Sequence, residues 1–262
     1  MRIALSSIIA LVVGLVSTRI AAADPVLGRV LTAPTAWLPP EGAVVASGGT
    51  LHRVGQVVGF GFLDAGVGLG GIASVNLATD TDVRGCVDAC ARPEELLLGR
   101  ASFRLGARQN AWFPGMPALL VGVRTTYAAR GHDFGRARVS DAYLVASRVL
   151  GSVRLHAGVG ATAAGFGDEP VTLGPTLRPF GGVEWTPPTY PRTSVLADIA
   201  YLPMFRPDRI DLEWMAGWGV RYQALRWGSI ELAVRHREAE GLEDSTVMIR
   251  LNGLFAGGKT RM

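Results

Sequence analysis

The chain has 262 residues, 48% of them hydrophobic, with 26 lysines and arginines against 22 aspartates and glutamates. The charge is nearly balanced and no compact basic stripe carries interleaved aromatics, which excludes a nucleic-acid-binding surface. No stretch beyond residue 23 offers the roughly 20 uninterrupted apolar residues of a membrane helix, so that mode of crossing is excluded as well.

Residues 1–23 read as a secretory signal: Arg2 gives the positive start, residues 8–16 a short apolar core, and Ala21-Ala22-Ala23 small residues before Asp24. The apolar run is too short for an anchor, and Ser17, Thr18 and Arg19 interrupt it. Its removal would leave 239 residues with 24 basic and 22 acidic side chains, and every basic one but Lys259 is arginine. Arginine stays charged when partly buried and forks onto carboxylates, which suits a narrow polar interior. Residues 24–41 hold Pro25, Pro34, Pro39 and Pro40. They form either a periplasmic lead-in or a plug folded into the interior of the main domain.

That domain is read as twelve strands: 43–52, 56–63, 66–77, 96–108, 118–128, 142–150, 152–165, 177–185, 193–202, 210–222, 227–237 and 246–255. The alternation is clearest in 210–222. One parity is Ile210, Leu212, Trp214, Ala216, Trp218, Val220 and Tyr222; the other is Asp211, Glu213, Met215, Gly217, Gly219 and Arg221. A period of two with unlike faces means β-strands. Charges that share a face with glycines suit a crowded polar lumen with lipid outside, the pattern of a transmembrane antiparallel up-and-down β-barrel over residues 42–255. Ten or fourteen strands are the neighbouring counts, and a secreted soluble β-sandwich is the competing fold. With a periplasmic start, Asp64-Ala65, Gly151 and 223–226 are short inner turns, and 78–95, 129–141, 166–176 and 238–245 are longer outer loops. A short outer loop at 53–55 and a long inner turn at 109–117 fit this rule less well. Phe255 closes the last strand with an aromatic, and residues 256–262 trail it as a polar tail.

The phrase Gly28-Arg29-Val30-Leu31-Thr32-Ala33-Pro34-Thr35-Ala36, with Leu38-Pro39-Pro40-Glu41-Gly42 and then a strand, resembles the N-terminal motif of the YjbH-type family. The match spans about twenty residues. Those proteins are outer-membrane barrels associated with exopolysaccharide production, so the resemblance implies an envelope barrel with a surface-polysaccharide role. This chain is much shorter than a typical member.

Cys86 and Cys90 stand four apart in a predicted outer loop. In an oxidising compartment such a pair predicts a local disulfide. His52, His132, His156 and His236 are scattered, so no metal or other cofactor is expected.

With the apolar parity assigned to lipid, the lumen-lining set is Arg100, Arg104 and Arg108, then Arg124, Arg148, Arg154, Arg178, Glu184, Asp198, Asp211, Glu213, Arg221, Glu231, Arg235 and Arg250. Ser102 and His156 share that parity. These charges read either as an internal salt-bridge network or as a basic wall steering small anions or acidic polysaccharide through a narrow pore. The outward parity is assigned Tyr127, Tyr143, Trp185, Tyr201, Trp214, Trp218 and Tyr222, rings suited to the membrane interfaces.

A lipid-modifying or hydrolytic barrel enzyme needs a nucleophile, a base and an orienting group together. No His-x-Ser or G-x-S-x-G occurs, and His132-Asp133 has no evident serine partner. The sequence therefore predicts a non-enzymatic outer-membrane barrel. Its partners would be outer-membrane lipid, lipopolysaccharide and the barrel insertion machinery, and it would act as a narrow anion-preferring channel or as a structural barrel linked to surface-polysaccharide export or assembly. A lead-in folded into the lumen would mark the second.

Overall fold

The structure is a computed structural model describing residues 28–54, 59–86, 94–130, 137–166, 171–238 and 241–256. The predicted signal, Cys90, His132, Asp133 and the tail beyond residue 256 lie outside the described residues. Twelve strands form one closed antiparallel barrel. They are β1 (Ala43–Arg53), β2 (Gly59–Leu69), β3 (Ala73–Gly85), β4 (Glu94–Ala107), β5 (Ala118–Arg130), β6 (Arg138–Leu150), β7 (Val153–Phe166), β8 (Val171–Trp185), β9 (Thr193–Phe205), β10 (Ile210–Leu225), β11 (Gly228–Arg237) and β12 (Thr246–Ala256). Each pairs with its sequence neighbours, and β1 closes on β12 from Ala43–Ala256 to Arg53–Thr246. The expected count and architecture are those observed.

The first hairpin differs from the expected one. Asp64-Ala65 is not a turn: Asp64 sits within β2, opposite Ser47 of β1 and Ala78 of β3. The chain reverses instead at Gly70-Gly71, with φ of 62° and 68°, and Ile72 N–H donates to Leu69 O. Two consecutive positive φ values make the primed turn whose twist matches a hairpin, and glycine takes them without strain. The shift carries β3 through residues expected in a loop and places Asp82 and Arg84 in the wall.

The outer surface is apolar. Val75, Leu77, Phe103, Leu105, Val121, Val123, Leu144, Leu155, Ile199, Trp218, Leu232, Ile249 and Leu251 are all exposed. A band of this size cannot face water without aggregating, and it makes the chain a membrane-crossing barrel of the outer-membrane type. Among the described residues no helix is long and apolar enough to cross, so the crossing is made by strands.

Inside, the lumen is filled. Residues 28–40 enter it as a tight loop in which Arg29 and Pro34 form a bridge, Val30 N–H donates to Ala33 O and Thr35 N–H to Gly28 O. Val30 and Leu31 pack against Leu51, Phe62, Leu196, Ala233 and Met248. Ala33 and Ala36 pack against Ala118, Leu120, Tyr143, Val145, Phe180 and Ala200, with Trp37 and Leu38 beside them. The lumen glycines make room for this loop. A Cβ on Gly182 would lie 2.9 Å from Val30 Cγ2, and one on Gly217 3.0 Å from Leu31 Cδ1.

The outer mouth is narrowed separately. β3 and β9 stand opposite each other in a ring of twelve, yet their outer ends meet in a short parallel pairing, Arg84 with Met204 and Gly85 with Phe205. β9 reaches across by leaving β8, to which it pairs only from Val195 to Ile199. Arg178 takes up the Tyr201 carbonyl at 2.6 Å where that ladder stops. On one side of the crossing Val83, Leu96, Leu98, Val139, Phe205 and Ile210 form a dry cluster.

If this exterior faces lipid, Leu232→Arg at the middle of β11 should lower stability by about 2–4 kcal/mol. Urea titration of protein folded into thin lipid vesicles measures it. A change within about 0.5 kcal/mol would mean that this face meets water.

Candidate functional site: a charge-lined lumen and its plug

The strand alternation sends one side chain in two into the barrel, and each of β4 to β12 contributes at least one ionic group to it. Asp141 of β6 is one hub. It receives Arg100 at 2.5 Å, Arg124 at 2.8 Å and Arg178 at 2.7 Å, and Thr162 Oγ1 donates to it at 2.8 Å. A second run is continuous. Arg154 and Arg221 meet Glu184 at 3.6 and 2.8 Å, Arg221 also meets Glu231 at 2.6 Å, and Glu231 is held in turn by Arg250. A third group lies under the outer crossing: Arg235 on Asp82 at 2.6 Å, Arg237 on the Asp82 carbonyl at 2.8 Å, and Arg84 on Glu95 at 2.5 Å. Charges withdrawn from water must be paired in this way or they unfold the wall.

The plug is built onto these groups through its backbone. The N–H groups of Leu31, Thr32 and Ala33 all donate to Asp198 Oδ2, at 3.0, 2.6 and 2.7 Å. Three successive amides of a tight turn form a concave donor nest, and a carboxylate fills it. The carbonyls on the other side are met by cations: Val30 O accepts from Arg221 at 3.3 Å and from Arg250 at 2.7 Å, and Leu31 O from Arg250 at 3.1 Å. Farther along, Ala36 N–H donates to Ser147 Oγ at 2.8 Å, and Trp37 stands edge-on to His156. Among the described residues Asp198 has no ion-pair partner, so the plug amides are what answers its charge.

Of the residues the sequence assigns to the lumen, Arg100, Arg104, Arg178, Glu184, Asp198, Glu213, Arg221, Glu231, Arg235 and Arg250 are buried, and Arg124 and Arg154 are half-buried. Asp211 lies near the outer rim with Arg206 and Arg209. Two assignments are corrected. Arg108 falls beyond the end of β4, exposed, with its guanidinium over Gly71 of the inner turn. Arg148 lies on the outward parity of β6 and is exposed, while Tyr143, expected outside, is buried and faces inward. The reversal on β6 has one cause. Its inward face mixes Val139, Tyr143 and Val145 with Asp141 and Ser147, so hydrophobicity alone gives its parity the wrong sign. Asp141 itself, expected at the end of a loop, belongs to that inward face. Cys86 follows the end of β3 and is disulfide-bonded; Cys90 lies outside the described residues.

One constellation is invisible in sequence. Ser147 and His156 are cross-strand partners, with Oγ 2.8 Å from Nδ1, and His156 Nε2 lies 3.5 Å from Glu184 Oε1. The order serine, histidine, carboxylate is that of an activated nucleophile. Here the Oγ already accepts the Ala36 amide, the plug backbone covers it, and Arg221 engages the carboxylate. In this state the trio anchors the plug. Among the described residues no group of three metal-ligating side chains occurs.

Removing the hub anion should expose the cost of unpaired charge. Asp141→Asn is expected to destabilise the barrel by about 3–5 kcal/mol. Asp211→Asn, in the half-open rim cluster, should cost less than about 1 kcal/mol. Denaturant unfolding of both, followed by tryptophan fluorescence, measures the difference.

No protein-family model matches the chain, and no curated protein sequence does. Solved structures share the fold. A KdgM porin superimposes with a TM-score of 0.47 at 7% identity, over 82% of this chain and 99% of that one. Acinetobacter baumannii outer membrane protein Omp33 gives 0.42 at 11%, over 83% and 99%. The translocator domain of the autotransporter NalP from Neisseria meningitidis gives 0.40 at 11%, over 98% and 95%. Each is a likeness of architecture alone.

Proposed function

We propose that this protein is a non-enzymatic outer-membrane barrel held shut by its own N-terminal segment, and that it serves the export or assembly of surface polysaccharide. The observation that carries the closed state is the seating of the loop on Asp198, with three amides on one carboxylate oxygen and two arginines on the carbonyls behind. A freely conducting pore gains nothing from that arrangement, whereas a barrel that opens only when its plug is withdrawn depends on it. The polysaccharide role rests on the resemblance of residues 28–42 to the YjbH-type motif. Those residues build the plug and the entry to β1. Outer-membrane lipid, lipopolysaccharide and the insertion machinery are the partners that this setting requires.

Conductance in planar bilayers tests the closed state. Wild-type protein, shown to be folded by heat-modifiable migration, should be electrically silent. Asp198→Ala removes the acceptor of the amide nest, and Gly217→Phe puts a ring where Leu31 packs. Both should give discrete openings, since hydrogen bonds to a charged group contribute about 1.5–3 kcal/mol each. Steady wild-type conductance equal to that of the two variants would sink the proposal. For the polysaccharide role, deletion of the gene should reduce secreted polysaccharide, and wild-type but not plug-displaced protein should restore it.

A further inference from the structure

Between the plug and the wall formed by β1 to β6 and β12 lies a cavity of about 80 Å³. Five guanidinium groups line it, those of Arg29, Arg100, Arg104, Arg124 and Arg250, against one carboxylate, Asp64. Four of the five have acidic partners: Arg29 meets Asp64 and Asp82, Arg100 and Arg124 meet Asp141, and Arg250 meets Glu231. Arg104 does not. Its Nε donates to Ser74 Oγ at 2.9 Å and its terminal NH2 nitrogen to Asn76 Oδ1 at 3.1 Å, both neutral, and among the described residues no carboxylate is within ion-pairing distance. Only 6% of Arg104 is exposed. On the plug side, Thr32 Oγ1 is buried, borders the same cavity and has no hydrogen-bond partner among the described residues. A cation out of bulk water with no counter-charge is costly, and a hydroxyl left without a partner adds to the cost.

We infer that this cavity is a binding site for one small oxyanion of phosphate or sulfate size, seated at the seam of plug and wall. Arg104 supplies the uncompensated charge, Arg124 a second cation from the adjacent strand, and Thr32 a hydroxyl donor. The volume admits a single tetrahedral anion. Asp64 opposes the anion but is turned toward other donors, Asn76 Nδ2 at 3.3 Å and Arg29 at 3.9 Å. Because the ligand touches both plug and wall, its binding tightens the plug.

Thermal unfolding of the folded full chain in detergent, with sodium phosphate titrated against sodium chloride at constant ionic strength, tests the site. Phosphate should raise the midpoint saturably, by about 5 °C well above the dissociation constant. Arg104→Gln should abolish the saturable part. Ser102→Asp supplies a resident carboxylate: position 102 lies opposite Arg124 on β5 and lines the cavity between Arg100 and Arg104. It should raise the midpoint without phosphate and remove the response. A phosphate response no larger than that of chloride would overturn the site, as would an equal response in Arg104→Gln. If Arg104→Gln does not fold, a wild-type response from Ser102→Asp overturns it just as well. A silent or conducting barrel in the bilayer experiment leaves this readout untouched, so the two proposals fail separately.

Discussion

Asp198 stands in the lumen wall with no ion-pair partner among the described residues, and the N–H groups of Leu31, Thr32 and Ala33 converge on one of its oxygens. Much of the molecule depends on that contact. A barrel of twelve strands encloses more space than its own side chains fill. The wall cannot collapse, because closure fixes its diameter, so a segment of chain fills the space. That segment brings backbone groups into a water-poor interior, and each must find a partner. The wall provides them with opposite charges on opposite sides of the turn, Asp198 for the amides and Arg221 and Arg250 for the carbonyls.

The arginines thereby do two things at once. Arg221 and Arg250 tie Glu184 and Glu231 into a run across β8, β10, β11 and β12, and the same guanidiniums hold the plug. A planar group with five donors can do this where an ammonium could not. Plug and wall network are therefore coupled: loss of one wall carboxylate loosens an arginine, and the loosened arginine releases a plug carbonyl.

The outer mouth is narrowed by different physics. There β3 and β9 cross the opening, backbone to backbone, over an apolar cluster on one flank and the Asp82, Arg235 and Arg237 group on the other. Withdrawal of the plug alone leaves this crossing in place. A wide opening needs β9 to return to β8, and the Tyr201 carbonyl would then exchange Arg178 for a strand partner. The narrow space beside the plug is consistent with openings that admit ions before polymers.

Alternation along the chain was enough to reach the class of fold and a count of about twelve strands, with ten and fourteen left open, and it picked out most of the charges that are buried in the barrel. A period of two is local, and it records directly which side chains meet lipid. Strands whose inward face is small or charged, such as Gly217, Gly219 and Arg221 on β10, were legible for that reason. β6 was not, because Tyr143 and Val145 face the lumen and pack against the plug, so its apolar parity points inward. The first hairpin was misplaced where Asp64, a turn-forming residue, serves as a wall charge while Gly70-Gly71 makes the turn. Other features emerged only with the barrel closed: Asp141 gathers three arginines, Ser147 meets His156 and through it Glu184, and Arg104 has no acid within reach among the described residues. Those facts depend on register between strands and on which residues face one another across the lumen. Neither is encoded in any short stretch of chain. The plug was legible as a proline-rich segment that had to go somewhere, but the charges that receive it are spread over β8 to β12, and closure of the wall is what brings them together around it.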